Sequence, residues 1–120
     1  MKMYRIAQFE EYLYHGTGEG AFRQIRRDGL VTGLNGYLYL CDTEEYAESY
    51  AIWKGNPYGN RVFRVRKTDA MVPDPNTNYQ GDFKSSINIP PENIEVKIEG
   101  QWIPIQSYYD EEIGIIHEDF

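Results

Sequence analysis

The chain is 120 residues long, carries a formal net charge of −7, and is 41% hydrophobic and 15% aromatic. That balance is globular rather than disordered, and the length fits one domain over 1–120. The acidic charge repels a phosphate backbone and disfavours general nucleic-acid binding, against which stand two basic clusters, Arg23, Arg26 and Arg27, then Arg61, Arg64, Arg66 and Lys67.

Tyr12–His15 reads as a short aromatic strand. Gly16, Gly18 and Gly20 loosen the chain behind it. Ala21, Phe22 and Ile25 then recur at helical spacing, which predicts a helix over 21–27 with arginines on its other face. Asp28-Gly29 ends that helix, with Gly29 as a left-handed cap and Leu30 packing back. After a turn at 33–36, Tyr37–Cys41 is apolar throughout and predicts a central strand. Thr43 is placed to cap a helix over Glu44–Trp53, with Glu44 and Glu45 in its first turn and Tyr46, Ala47, Tyr50 and Ala51 on one stripe.

A loop at 55–60 leads to Arg61–Lys67, where Val62, Phe63 and Val65 sit among basic residues, predicting a strand with one wet face. Met71–Gly81 holds two prolines and two asparagines without a period, and reads as a long loop. Phe83–Ile89 is a weak strand, Pro90–Asn93 a turn, and Ile94, Val96 and Ile98 alternate as another strand. Trp102–Ile105 adds an edge strand, where Pro104 is tolerated. The tail 108–120 holds five acids in thirteen residues and reads as a short helix or a frayed end. Strand, helix, strand, helix and then several strands make an α+β fold with antiparallel pairing of the later strands.

Several chemistries fail on spacing. Gly16-x-Gly18-x-Gly20 is not a dinucleotide fingerprint, and no phosphate-binding loop motif occurs. A metal site is not expected, because the two histidines, His15 and His117, lie at opposite ends of the chain. The single cysteine, Cys41, forbids an internal disulfide and a zinc site with several thiolates. Cys41 and His15 form a conceivable nucleophilic pair, but a thiol in an apolar strand reads first as an inert core group. The opening Met1–Arg5 lacks the apolar run of a signal peptide, and no apolar stretch approaches the roughly 20 residues that span a bilayer, so a reducing, cytoplasmic setting without membrane insertion is expected.

What remains is an ordered set. It comprises Tyr14-His15-Gly16-Thr17, Asp28-Gly29-Leu30, Tyr37-Leu38-Tyr39-Leu40, Ala47-Glu48-Ser49-Tyr50-Ala51, the strand from Arg61, and Ile89-Pro90-Pro91-Glu92-Asn93-Ile94. In order and spacing this resembles the ADP-ribosyltransferase-like superfamily of diphtheria-type toxins, poly-ADP-ribose polymerases and RNA 2′-phosphotransferases. The resemblance implies split antiparallel β-sheets with two short helices, and NAD as substrate. It implies that His15 bonds the adenosine ribose, that the Gly16 backbone meets the nicotinamide carboxamide, that Thr17 supports the turn, and that Tyr39 and Tyr50 sandwich the nicotinamide ring. The third signature position, usually Glu, falls on Asp82, with Lys84, Ser85 and Ser86 beside it.

By that resemblance His15, Tyr39 and Asp82 are the catalytic set of a glycosyltransferase that moves ADP-ribose to a protein or nucleic-acid acceptor. The small size suits a phage or conflict-system effector. NAD also needs a cation for its phosphates, and Arg23, Arg26 or Arg27, with Arg5 and Lys54, are the candidates. The alternative is a catalytically inactive module of the same fold, whose acidic surface meets a basic protein partner. RNA 2′-phosphate transfer ranks last, because this acidic chain shows few basic residues for such a pocket.

Overall fold

A computed structural model describes residues 11–17, 21–54, 61–77 and 81–107. The tail 108–120 lies outside the described residues. Among the described residues, seven strands form one antiparallel sheet in the order β4-β5-β2-β1-β3-β6-β7. They are β1 (Tyr12–Thr17), β2 (Leu38–Cys41), β3 (Arg61–Arg66), β4 (Met71–Pro73), β5 (Asp82–Ser85), β6 (Glu95–Ile98) and β7 (Gln101–Pro104). Two α-helices among the described residues, α1 (Phe22–Asp28) and α2 (Glu44–Lys54), complete the α+β fold.

The expectation of split sheets is corrected: the described strands form one continuous sheet, because β1 and β2 stay joined at one position. All seven strands are hydrogen-bonded into one sheet, but β1 and β3 pair over six positions, from Tyr12↔Arg66 to Thr17↔Arg61, whereas β1 and β2 meet only at Tyr14↔Cys41. The sheet therefore opens on the Thr17 side of that single junction. On the far side of the opening, β2 rejoins a full ladder with β5, from Leu38↔Ser85 to Cys41↔Asp82.

Alternation along the strands sorts residues to two faces. Leu13, Phe63, Val65 and Val96 pack with Phe22 and Ile25 of α1 and with Leu30, Ile89, Ile94 and Ile105 in the main core. The rings of Phe22 and Phe63 stack with centroids 6.3 Å apart, and both are fully buried. Each contributes about 1.5–3 kcal/mol by burial. The opposite face holds a smaller cluster of Cys41, Ala47 and Val62 under α2, flanked by Tyr14 and Trp102. Arg64 lies over the rings of Tyr12 and Trp102, 4.1 and 4.6 Å from their centroids, and pairs with Glu95 at 2.6 Å.

Local chemistry explains most element ends. The Thr43 hydroxyl accepts the Tyr46 N–H at 3.2 Å, capping α2 as the sequence predicts. Gly29 departs from expectation. Its φ is positive at 85°, but its ψ of −168° sends the chain out extended rather than through a left-handed cap. Leu30 leaves from that corner to exchange two 2.9 Å backbone bonds with Ile89. The two-residue hairpin between β6 and β7 places Glu99 and Gly100 at φ of 51° and 83°, the signature of a turn that matches strand twist.

Two sequence expectations are corrected. Met71–Gly81 is not loop throughout, since Met71–Pro73 is the edge strand β4 and pairs with Phe83–Ser85. Met71 drives this by burying its side chain in the main core, and Pro73 sits on an edge where no ladder N–H is missed. The helix stripe is also narrower than expected. Ala47 and Ala51 are buried at 1% and 0% exposure, whereas Tyr46 and Tyr50 remain 39% and 44% exposed.

Candidate functional site

Small residues set the site. An added Cβ at Gly16 would fall on the Ala47 carbonyl and within 3.2 Å of the Ala51 Cβ. Gly16, Ala47 and Ala51 therefore let α2 lie hard against β1, and the two bulky tyrosines of the helix are left at its flank. They lean over the place where β1 and β2 part. A cleft of about 620 Å³ opens there, within the size range of ligand sites. Its walls include His15 and Gly16 from β1, Tyr39 from β2, Tyr46 and Tyr50 from α2, and Asp82 from β5. Five of the residues expected to share a site, His15, Gly16, Tyr39, Tyr50 and Asp82, thus line one cleft. Thr17, Arg23 and Arg27 are not among its described lining. Thr17 ends β1, Arg23 lies on α1, and Arg27 is paired with its neighbour Asp28 at 3.0 Å.

His15 is fixed by a bond across the opening. Its Nδ1 lies 3.0 Å from the Tyr39 carbonyl oxygen. A carbonyl only accepts, so Nδ1 carries the hydrogen and Nε2 of the neutral ring is an acceptor. Burial pushes the His15 pKa below its ordinary value of 6.5, and the bond to Tyr39 offsets part of that shift. The neutral form is accordingly the working form at pH 7, suited to accept a hydrogen bond from a hydroxyl.

Tyr39 is held at both ends. Its backbone carbonyl takes the His15 bond, and its phenol oxygen accepts a bond of 2.6 Å from the Asn35 amide. The same Asn35 accepts the Tyr37 N–H at 3.1 Å. Asn35 was legible in the sequence only as a turn residue, and its polar side chain two residues before Tyr37 is the signal that it orders the strand behind it. Tyr37, Tyr46, Asp74 and Thr77, for which the sequence suggests no site role, line the cleft as well.

The charge of the cleft is one-sided. Asp74 and Asp82 line it, and among the described residues no lysine or arginine does. Burial, reinforced by the charge of Asp82, raises the pKa of Tyr46, so its phenol stays protonated. Cys41 lies in the same wall. Burial first, then Asp82 and Asp42, push its thiol up to about 11. Its Sγ donates toward the carbonyls of Thr43 and Tyr14, at 3.4 and 3.6 Å. A thiol held neutral in this way is a poor nucleophile, as expected of a core cysteine. Among the described residues no cluster of three or more His, Cys, Asp or Glu could hold a metal ion, and no helix is long and apolar enough to cross a membrane.

The site thus offers an acceptor imidazole, a carboxylate and a wall of tyrosine faces. Compared with known protein families the chain finds no match, and no curated protein matches its sequence.

Proposed function

We propose that this protein is an ADP-ribosyltransferase-like domain that binds NAD in the cleft between β1 and β2. We further propose that it transfers ADP-ribose to a protein or nucleic-acid acceptor. The observation that carries the reading is the convergence of His15, Gly16, Tyr39, Tyr50 and Asp82 on one cleft, from four separate elements. The α+β class, with its antiparallel sheet and two α-helices among the described residues, is compatible with this reading. In this reading the neutral His15 accepts a ribose hydroxyl through Nε2, and the exposed faces of Tyr39 and Tyr50 take the nicotinamide ring.

The chemistry asks for Asp82. When the bond between ribose C1′ and the nicotinamide nitrogen breaks, its electron pair neutralises the pyridinium and leaves positive charge on the sugar, much as in glycoside hydrolysis. A fixed carboxylate lowers that barrier, and the acceptor then attacks C1′ and loses its proton. Asp82 opens β5 directly opposite Cys41 of β2, so a paired strand rather than a free loop holds it.

Calorimetric titration of NAD into the wild type and His15→Ala, with nicotinamide release measured for Asp82→Asn, tests the reading. Saturable binding lost in His15→Ala is expected, together with a fall in release of about a hundredfold or more in Asp82→Asn. Absence of NAD binding to the wild type refutes it. One observation favours the second reading, a non-catalytic module: the cleft lining carries two acids and no described cation to meet a diphosphate. Nicotinamide release that depends on His15 would overturn that second reading.

A further inference from the structure

An anionic dinucleotide needs a positive partner that the cleft walls, among the described residues, do not provide. Two arginines of α1, Arg26 and Arg27, are turned to other partners. Arg27 is engaged by Asp28 through two bonds of 3.0 and 3.1 Å. Arg26 reaches the Gln106 carbonyl at 3.2 Å, outside the cleft. Arg64 is engaged by Glu95 and two aromatic rings.

Lys84 stands differently. It is the direct cross-strand partner of Tyr39 on β5, so the two side chains share a face of the sheet. It is two residues from Asp82 on the same strand and therefore on the same face. Its ammonium lies 4.4 Å from the ring centroid of Tyr37, itself a cleft wall. Among the described cation–ring contacts this is the one made to a ring that lines the cleft. A lysine resting on a ring keeps its charged head toward water and its stem on apolar surface, which here sets the ammonium beside the wall formed by Tyr37.

We propose that Lys84 is the phosphate-binding residue of this cleft, meeting the dinucleotide's phosphates at the rim while Asp82 serves the ribose. The inference rests on the NAD reading and adds a residue to it. The cleft is then polarised, with carboxylate and tyrosines within and ammonium at the edge. Phosphates are held out at that edge, and the reacting ribose is drawn in.

Calorimetry on wild type, Lys84→Gln and Lys84→Arg, each with NAD and with nicotinamide riboside, tests this. The riboside keeps the ring and sugar but has no phosphate. Lys84→Gln is expected to weaken NAD about tenfold and leave the riboside unchanged, since one charge-assisted bond is lost. Lys84→Arg is expected to restore NAD affinity. An unchanged NAD affinity in Lys84→Gln overturns the proposal while leaving the NAD reading standing. Equal weakening of both ligands also overturns it, assigning Lys84 to the support of Tyr37. A wild type that binds neither ligand overturns the NAD reading and the proposal together.

Discussion

Gly16→Ala is the perturbation that the packing of this fold bears on most directly. The new Cβ has no room, because it would overlap the Ala47 carbonyl oxygen and carbon and press on the Ala51 side chain. Two of these three obstacles are backbone atoms of α2, so no rotamer change relieves the clash, and the helix must move off β1 as a body. Overpacking of this kind costs about 1–3 kcal/mol. At about 4 °C per kcal/mol for a domain of this length, Tm falls by about 4–12 °C. Gly33→Ala is the matched control. The nearest atom to its added Cβ, the Tyr37 carbonyl oxygen, is 3.6 Å away, which is ordinary contact. Removing a glycine there costs nothing sterically and restricts the unfolded chain, so Tm holds or rises slightly. Thermal unfolding of both variants by circular dichroism is the assay. A Gly16→Ala variant within about 1 °C of wild type would show that β1 and α2 are not in the close contact argued above, and the account of why Tyr46 and Tyr50 overhang the cleft would fall with it.

Other perturbations test separate parts of the argument. His15→Gln should flatten part of the pH dependence of stability. His15 has a folded pKa below its unfolded value of 6.5, so the unfolded chain binds the proton first. The stabilisation from its neutral state is complete above 6.5 and is lost as pH falls through the folded pKa. Urea unfolding at about pH 7.5 and 5.5 should therefore show a larger drop for wild type than for His15→Gln, and equal drops would refute the assignment. Thr43→Ala removes the hydroxyl that caps α2 and should cost about 1 kcal/mol in urea unfolding, without changing the far-UV signature of the folded state.

The parts of the fold written in local chemistry were legible. The Thr43 cap, the helical spacing of Phe22 and Ile25, and the strand at Arg61–Arg66 each depend on neighbours within a few positions and appear where expected, although the second face of that strand is not wet, since Val62 is buried against Ala47 of α2. Strand β4 was not legible, because three residues with a proline carry no period and their pairing with β5 is a contact across the chain. The exposure of Tyr46 and Tyr50 was hidden for the same reason. An aromatic at helical spacing normally faces the core, and only the Gly16 contact from another element shows that the alanines take that place. Of the candidate site, His15, Tyr39, Tyr50 and Asp82 were nameable from residue type and order, and the structure brings them to one cleft. Lys84 did not stand out, since arginines on α1 look as available in sequence, and only the register Tyr39↔Lys84 sets it on the sheet face it shares with Tyr39.

The opening between β1 and β2 has a cost that His15 offsets. Beyond Tyr14↔Cys41 the two strands stop exchanging backbone bonds, and a strand polar group without a partner is destabilising. The His15 imidazole supplies a donor to the Tyr39 carbonyl and so spans the gap that the missing ladder leaves. Protonating the ring does not break this bond, since Nδ1 carries its hydrogen in both states. It removes only the acceptor at Nε2. Acid therefore separates the two roles of one residue. The strut across the cleft survives, while on the NAD reading proposed above affinity for the ribose hydroxyl is expected to fall as pH drops through the lowered His15 pKa, which NAD titration across that range checks.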